Sequence, residues 1–142
     1  LKLEWVGKEE IYRHADLISL HVPMTMQTKN MIRSEQLLMM KPDAMIINTS
    51  RGGIINEYDL AEVLSAGHLY GTAIDVFDQE PYTGALAQID RCLLTSHMGS
   101  MSIDCRTRME IEATEEVVSF LTGKSLHRLV PLEEYELQRQ GL

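Results

Sequence analysis

The sequence has few of the residues that build disulfide-linked, metal-bound or membrane-spanning proteins. It contains two cysteines, Cys92 and Cys105, without the C-x-x-C spacing of a metal or redox motif, and its five histidines are not clustered. Neither a disulfide scaffold nor a metal site is therefore expected. No uncharged apolar run approaches the about 20 residues of a membrane-spanning helix, and no secretory signal opens the chain. We therefore expect a cytoplasmic protein in a reducing setting, without a membrane partner.

Basic residues are also scarce. Thirteen Lys and Arg stand against 21 Asp and Glu, the net charge is -8, and the basic side chains form no stripe. A nucleic-acid partner is therefore not expected, because clustered positive charge is what binds phosphate backbones. Small molecules or proteins are the expected partners. The 142 residues suffice for one domain with a core, and the absence of an initial methionine leads us to expect a piece of a longer chain.

Four short apolar segments, each bounded by turn-forming residues, predict β-strands. They cover residues 16–22, 44–47, 71–77 and 92–96. Helices are predicted over residues 8–15, after Ser34 as N-cap, and from Asn56 as N-cap to a closing Gly67. Strands separated by helix-length crossovers indicate a parallel α/β sheet, and their lack of alternation predicts that both faces of the sheet are covered.

A longer helix is predicted from its N-cap, Ser102, to residue 122, with Gly123 as the stop. Its apolar residues recur at helical spacing, and we expect them to belong to the core. They are Ile103, Met109, Ala113, Val117, Phe120 and Leu121. A tail over residues 125–142 follows, in which residues 133–139 form either a short helix or a disordered segment.

Polar residues follow the predicted strands at their carboxyl ends, which is where open α/β sheets bind ligands. Arg51 follows one strand, Asp75 and Glu80 lie near the end of the next, and His97 follows the last. Arg51 either holds a substrate carboxylate by two parallel hydrogen bonds or is an ordinary solvated loop residue. His97 and Glu80 are either a general acid/base pair or a structural histidine and a turn acid. Because no side chain accepts a hydride, redox chemistry here needs a cofactor.

Three stretches carry a family resemblance that covers roughly residues 11–123. They are residues 15–32 (ADLISLHVPMTMQTKNMI), 40–81 (MKPDAMIINTSRGGIINEYDLAEVLSAGHLYGTAIDVFDQEP) and 93–99 (LLTSHMG). In this order and spacing they resemble the NAD-binding domain of the D-isomer-specific 2-hydroxyacid dehydrogenases, phosphoglycerate-dehydrogenase-like members above all. The resemblance implies a partial Rossmann-type, doubly wound parallel sheet of about four strands with flanking helices, in which the first βαβ unit is missing. It places a partial dinucleotide-binding domain at residues 1–124, before the tail.

The resemblance also implies roles for individual residues. Arg51 is the implied anchor of the substrate carboxylate, Glu80 the acid that orients and tunes His97, and His97 the proton donor or acceptor. Hydride then passes between NAD and the C2 carbon of the substrate. The residues that the resemblance implies for cofactor binding are Val22, Pro23, Thr28, Thr49, Ser50, Arg51, Asp75, His97, Gly99 and Ser100.

One family element has no counterpart in the chain, namely the G-x-G-x-x-G turn that binds the pyrophosphate. We therefore expect these 142 residues alone to bind NAD weakly or not at all, and the choice between NAD and NADP stays open. Without the first strands, an exposed sheet edge and apolar helix faces favour self-association, so a homo-oligomer is expected.

The expected function is that of an oxidoreductase acting on a small D-2-hydroxy acid or 2-keto acid with NAD. Which 2-hydroxy acid is used stays open, because selectivity in the family comes mostly from another domain. Two alternatives remain at this point. The first is that the chain is an NAD-responsive, co-repressor-like interaction protein, since the family includes such members. The second is that it is an inactive fragment.

Overall fold

Helices and strands alternate along the chain in the computed structural model, which describes residues 3–132. The helices are α1 (Lys8–His14), α2 (Ser34–Met39), α3 (Glu57–Ser65) and α4 (Ile103–Leu121), and the strands are β1 (Leu17–Leu20), β2 (Met45–Asn48), β3 (Gly71–Ile74) and β4 (Cys92–Leu94). Two short 3-10 helices cover Ala85–Gln88 and Met98–Ser100. The chain divides into two compact units, Leu1–His97 and Met98–Leu142.

The four strands form one parallel sheet in the order β1-β2-β3-β4. Leu17 pairs with Met45, and Met45 pairs with Gly71, so the strands run in register from their first residues. The predicted α/β class and parallel sheet are confirmed. Because all four strands run the same way, their carboxyl ends lie along one edge, which brings the residues that follow each strand to the same side of the first unit.

The core of the first unit lies on one face of the sheet, between the strands and α1, α2 and α3. Side chains alternate along a strand, so Ile18, Ile46 and Ile74 point into this core with Leu37 and Leu60 from the helices. The other face is open. Its apolar side chains are exposed, namely Leu17 (51%), Met45 (40%) and Leu93 (67%).

The prediction that both faces of the sheet are covered is therefore wrong for the residues described here. The apolar runs were continuous enough to indicate burial on both sides, since strands of two-sided parallel sheets carry apolar residues at successive positions. That pattern shows only that the side chains are apolar, and it does not show whether both faces of the sheet are covered. Within the described residues, β1 and β2 bury only every second side chain, so that Leu17 and Met45 stay exposed while Ile18 and Ile46 are buried.

The predicted N-cap at Ser34 is also wrong, because Ser34 is the first residue of α2 and Arg33 precedes the helix. The side chain of Gln36 accepts a hydrogen bond from the Arg33 N–H at 3.1 Å. The Ser34 N–H donates instead to Asp59 Oδ2 of α3 at 3.0 Å. A carboxylate from a neighbouring helix thus satisfies one of the free amides at the start of α2.

The other caps agree with the sequence. Asn56 Oδ1 accepts from the Asp59 N–H at 3.0 Å at the start of α3, and Gly67 closes that helix with φ +86°. The strand predicted over residues 71–77 is shorter, because β3 ends at Ile74 and leaves Asp75 just beyond it.

In the second unit, Ser102 caps α4 by accepting from the Cys105 N–H at 3.2 Å, and Gly123 follows the helix with φ +69°. The expectation that its apolar residues belong to the core is wrong. No described residue of α4 is buried, and Ile103, Phe120 and Leu121 are largely exposed, as are Met109, Ala113 and Val117. Helical spacing establishes an apolar stripe without establishing what covers it. The helix or disordered segment expected over residues 133–139 lies outside the described residues.

Among residues 3–132, no helix is long and apolar enough to cross a membrane. The same part of the chain has no group of three or more His, Cys, Asp or Glu side chains placed to hold a metal ion.

Candidate active site

A buried asparagine organises the turn that follows β2. Asn48 is the last residue of β2 and is 1% exposed. Its Oδ1 atom accepts hydrogen bonds from the Ser50 N–H at 3.1 Å and the Ser50 hydroxyl at 2.8 Å, and its Nδ2 atom donates to the Arg51 carbonyl at 2.9 Å. Sequence reasoning did not include Asn48 among the site residues. An asparagine between an apolar strand and small polar residues is nevertheless typical of a side-chain-stabilised turn, and this signal could have identified it.

Arg51 lies in this turn, at the carboxyl end of β2, as the sequence predicts. Its side chain is exposed, and its Nη1 atom donates to the Ser50 carbonyl at 2.7 Å. Arg51 has no ion-pair partner within the described part of the chain. Thr49 is exposed and Ser50 half-buried beside it. The guanidinium therefore keeps most of its five N–H donors for a ligand.

The two glycines after Arg51 fix the turn against the next loop. A Cβ atom on Gly52 would lie 1.9 Å from the carbonyl oxygen of Phe77, which is inside van der Waals contact with main chain that cannot rotate away. Gly53 has φ +74°, in the left-handed region that favours glycine. The Arg51 turn and the Phe77–Asp78 main chain therefore touch directly.

His97 and Glu80 form a hydrogen-bonded pair at the same edge of the sheet. The His97 Nδ1 atom lies 3.1 Å from Glu80 Oε2 and 3.2 Å from Glu80 Oε1. The His97 N–H donates to the Asp75 carbonyl at 2.8 Å, and its backbone has φ +55°, a left-handed conformation that is uncommon outside glycine. Such conformations cluster at functional sites, where surrounding contacts hold them in place.

The electrostatics of Glu80 set the tautomer of His97. The hydrogen bond from the Phe77 N–H, 3.0 Å long, is the main cause that lowers the pKa of the Glu80 carboxyl, and the hydrogen bond with His97 lowers that pKa further. Glu80 is therefore ionised near neutral pH and acts only as an acceptor. The proton of the neutral ring consequently sits on Nδ1, which leaves Nε2 as the ring atom that can exchange a proton with a ligand.

Asp75 connects the ends of three strands. Its N–H donates to the Asn48 carbonyl at 3.0 Å, and its own carbonyl accepts from His97. Its side chain is buried and accepts from the Thr95 hydroxyl, with Oδ1 2.5 Å from Thr95 Oγ1. Thr95 was not among the predicted site residues, and a threonine within an apolar strand gives little signal from sequence.

The residues predicted to line the cofactor after β1 share one turn. The Thr28 hydroxyl donates to the Pro23 carbonyl at 2.7 Å and accepts from the Thr25 N–H at 2.7 Å. Val22 precedes this turn and is half-buried. Gly99 and Ser100 belong to the 3-10 helix Met98–Ser100 of the second unit, so the first unit does not bring them to this edge.

The arrangement fits a dinucleotide on one observation from the first unit. Exposed polar groups follow β1, β2 and β4 along one sheet edge, which is where open α/β sheets bind such ligands. Pro23 and Thr28 lie in the turn after β1, and Thr49 and Ser50 lie in the turn after β2. At the same edge, Arg51 supplies a cation, Asp75 a buried carboxylate and His97 one available ring nitrogen. Together these groups could bind an acid and move a proton.

Comparison with known proteins agrees with this geometry. Residues 1–99 match the family described as D-isomer specific 2-hydroxyacid dehydrogenase, NAD binding domain. The chain is 35% identical to a glyoxylate reductase of Korarchaeum cryptofilum, over 99% of this chain and 43% of that protein. It is 36% identical to a hydroxypyruvate reductase of Thermotoga maritima, over 82% of this chain and 40% of that protein. The chain thus spans less than half the length of these curated relatives.

The fold agrees with a solved structure as well. The TT0316 protein from Thermus thermophilus superposes with a TM-score of 0.87 at 34% identity, over 92% of this chain and 42% of that one. The matched span, residues 1–99, contains the Arg51 turn, Asp75, Glu80 and His97. The chain therefore belongs to the family of NAD-binding domains of the D-isomer-specific 2-hydroxyacid dehydrogenases.

Proposed function

We propose that this chain supplies the catalytic side chains of an NAD-dependent oxidoreductase that interconverts a small D-2-hydroxy acid and its 2-keto acid. The observation that carries the proposal is the pair formed by His97 and Glu80 at the carboxyl edge of the sheet, with Nδ1 3.1 Å from Oε2. Family membership narrows the chemistry to hydride transfer with a nicotinamide cofactor. The proposal applies to the whole protein, of which residues 1–142 carry this part of the site.

In the oxidation direction, Arg51 binds the substrate carboxylate, and the substrate hydroxyl donates a hydrogen bond to His97 Nε2. The hydroxyl proton moves to Nε2 as the C2–H bond breaks, and the ring becomes an imidazolium that Glu80 stabilises through Nδ1. NAD, when bound, accepts the hydride that leaves C2. The electron pair left on oxygen forms the carbonyl of the 2-keto acid. Reduction follows the same steps in reverse, with His97 as the acid.

The substrate class is supported by the relatives, whose names specify glyoxylate and hydroxypyruvate as the acids that they reduce. Both are short 2-keto acids with a carboxylate next to the carbonyl. A planar guanidinium binds such a carboxylate with two parallel hydrogen bonds, whereas an ammonium binds it as a point charge. Arg51 is therefore the residue that we assign to this group.

The experiment is an NADH and NADPH oxidation assay of the complete gene product with glyoxylate and hydroxypyruvate. Two variants of His97 sharpen it. His97→Asn keeps an amide nitrogen near the place of Nδ1 but has no atom at Nε2, and His97→Gln shifts its amide away from Glu80. Both variants are expected to lose about 10²- to 10⁴-fold in kcat, the usual contribution of a positioned acid or base.

The matched control is His14→Gln, on α1, where the ring is exposed beside Glu10. This variant is expected to keep wild-type kcat. Turnover that survives both His97 substitutions would contradict the proposed role of the pair, and a wild-type protein inactive with either cofactor on both acids would contradict the proposed function.

We also propose that the protein self-associates and works in the cytoplasm. The exposed apolar side chains on the open sheet face support association, because contiguous apolar surface of this kind commonly marks an interface. Cys92 and Cys105 are both free thiols, which supports a reducing compartment. Light scattering and fractionation of tagged protein test the two statements separately.

A further inference from the structure

Glu57 is the first residue of α3, immediately after the Asn56 cap, and it reaches toward the loop that carries Glu80. Its Oε1 atom accepts a hydrogen bond from the Asp78 N–H at 2.7 Å. Glu80 accepts from the preceding amide, the Phe77 N–H, at 3.0 Å. Two consecutive main-chain amides are thus held by two carboxylates, one from within the loop and one from α3.

The same loop rests on the turn that presents Arg51. The missing side chain of Gly52 lets that turn touch the Phe77 carbonyl and the Asp78 nitrogen, which would lie 1.9 and 2.6 Å from a Cβ atom there. Glu57 lies beneath this contact, since it lines the same small interior space as Asn48 and Gly53. Its carboxylate therefore connects the start of α3 to the point at which the Arg51 turn and the Glu80 loop meet.

The start of a helix favours an acidic residue at Glu57, but the other surroundings of its carboxyl oppose the charged form. Burial is the main cause that raises the pKa of Glu57, and the negative charges of Asp78 and Glu80 raise that pKa further, against the hydrogen bond from the Asp78 N–H. Glu57 lies near two other carboxylates, those of Asp78 and Glu80, although an acidic residue at a helix start does not require such neighbours. What Glu57 gains at this place is the hydrogen bond from the Asp78 N–H.

We propose that Glu57 is a positioning residue that holds the Phe77–Glu80 loop in register with the Arg51 turn, so that Glu80 and His97 stand at a fixed place relative to the substrate-binding guanidinium. The catalytic consequence rests on the proposed function, whereas the structural consequence concerns only this chain. Nothing in the role requires Glu57 to touch substrate or cofactor. It acts through the main chain of Asp78.

Two substitutions separate the hydrogen bond from the charge. Glu57→Gln removes the charge and keeps an oxygen acceptor at the same reach, whereas Glu57→Ala removes both. Since neither variant carries the charge, a difference between them reports the loss of the side chain and its hydrogen bond and not the loss of the charge. When the Asp78 N–H has no acceptor, the Phe77–Glu80 loop is held less tightly. The neighbouring hydrogen bond from the Phe77 N–H to Glu80 then weakens as well. The pKa of the Glu80 carboxyl is therefore expected to be higher in Glu57→Ala than in Glu57→Gln.

The measurement is an NMR titration of the Glu80 side-chain carboxyl in the 142-residue chain, which needs no turnover. The control is Glu62→Ala, five residues further along α3, where the exposed carboxylate accepts from the Tyr58 hydroxyl at 2.8 Å. This variant is expected to leave Glu80 unchanged. Should Glu57→Ala fail to fold, Glu57→Asp keeps the charge but falls one methylene short, and it is expected to raise the pKa of Glu80 relative to wild type. Equal values in the Ala and Gln variants, or no change in the Asp variant, would overturn the proposal.

Kinetics of the complete protein give the second readout. Glu57→Gln is expected to stay within about 3-fold of wild-type kcat, while Glu57→Ala loses on the order of 10-fold or more in kcat with little change in KM, because small misplacements of reacting groups are costly. Equal losses in both variants would overturn the catalytic consequence. A wild-type protein without dehydrogenase activity, combined with the expected titration difference, would refute the proposed function and leave the positioning role of Glu57 standing.

Discussion

The side-chain amide of Asn48 donates a hydrogen bond to the main-chain carbonyl of Arg51 at 2.9 Å. The end of β2 therefore holds the residue that we assign to the substrate carboxylate. Because Asn48 also accepts two hydrogen bonds from Ser50, its side chain replaces the main-chain partners that a strand end would otherwise lack.

Replacing Asn48 by Leu, which has a similar size, should destabilise the protein and disorder the Arg51 turn. The substitution leaves the Ser50 N–H and the Arg51 carbonyl without their partner, and the loss of an ordinary hydrogen bond costs about 0.5 to 1.5 kcal/mol. Urea unfolding should show a lower midpoint, and KM for the keto acid should rise. An unchanged midpoint would show that the turn does not depend on the Asn48 amide.

The Arg51→Lys variant is expected to keep the charge and lose paired hydrogen bonding to the carboxylate. Hydrogen bonds to charged groups contribute about 1.5 to 3 kcal/mol, so kcat/KM should fall on the order of 10- to 100-fold. Steady-state kinetics of the complete protein test this. Arg13→Lys, on the exposed surface of α1, is the matched control and should change nothing. A wild-type kcat/KM in Arg51→Lys would mean that this residue does not bind the carboxylate.

The pKa of Glu80 should depend on His97 in a defined order. His97→Ala removes the second cause of the lowered pKa and leaves the first, the Phe77 N–H, in place. The pKa of the carboxyl should therefore rise toward its ordinary value of 4.5. Carboxyl-detected NMR titration measures it, and His97→Asn, which keeps a donor near Nδ1, should shift it less. Identical titrations in wild type and His97→Ala would contradict the pairing.

A related prediction concerns stability at acid pH. Since the pKa of Glu80 is lowered on folding, the ionised carboxylate stabilises the folded state, and this contribution is fully present above the ordinary value of 4.5. It is lost as the pH falls through the lowered value. The advantage of wild type over Glu80→Gln in thermal unfolding should therefore be present at pH 6 and vanish on acidification. An advantage that grew at low pH would have the wrong sign.

Gly52→Ala should be strongly destabilising, because its methyl group would overlap the main chain of Phe77. Overpacking of this kind costs about 1 to 3 kcal/mol, and a clash with main chain lies at the upper end. Gly7→Ala is the control, since a Cβ there meets no atom within 4 Å. Thermal unfolding of the two variants should separate them clearly. Equal stability would mean that the Arg51 turn moves freely against the Phe77–Asp78 main chain.

The proposed association predicts the effect of charge on the open sheet face. Leu93→Lys places an ammonium among the exposed apolar side chains of that face and should lower the mass measured by light scattering. Leu38→Lys is the control, because Leu38 is also exposed but belongs to α2. If both variants keep the mass of wild type, the sheet face is not the interface.

The sequence was most informative where chemistry demands a particular residue in a particular order. The place of Arg51, Glu80 and His97 along one edge could be predicted because their motifs follow strand ends, and parallel strands bring such ends to one edge. Thr95 and Glu57 could not be identified in the same way. Their roles depend on which main-chain groups lie opposite them, and periodicity or spacing does not reveal that.

The errors share one physical cause. Apolar residues at strand or helix spacing, such as Leu93 or Phe120, predict that a surface packs against something, but the pattern does not identify the partner. The cap of α2 failed for a similar reason. Asp59, which is distant in sequence, already satisfied the amide at that helix start, and only the tertiary structure brings it there.

In Asp75, the main chain supports the site through two hydrogen bonds, whereas the side chain is the part that affects the chemistry of the site. Its amide and carbonyl join the end of β2 to His97, and any amino acid except proline can supply both groups. Its carboxylate, by contrast, is bonded to Thr95 and is the part that a substitution would change. The histidine can therefore keep its place while the side chain at position 75 varies, so this position could alter the polarity of the site without rebuilding its frame.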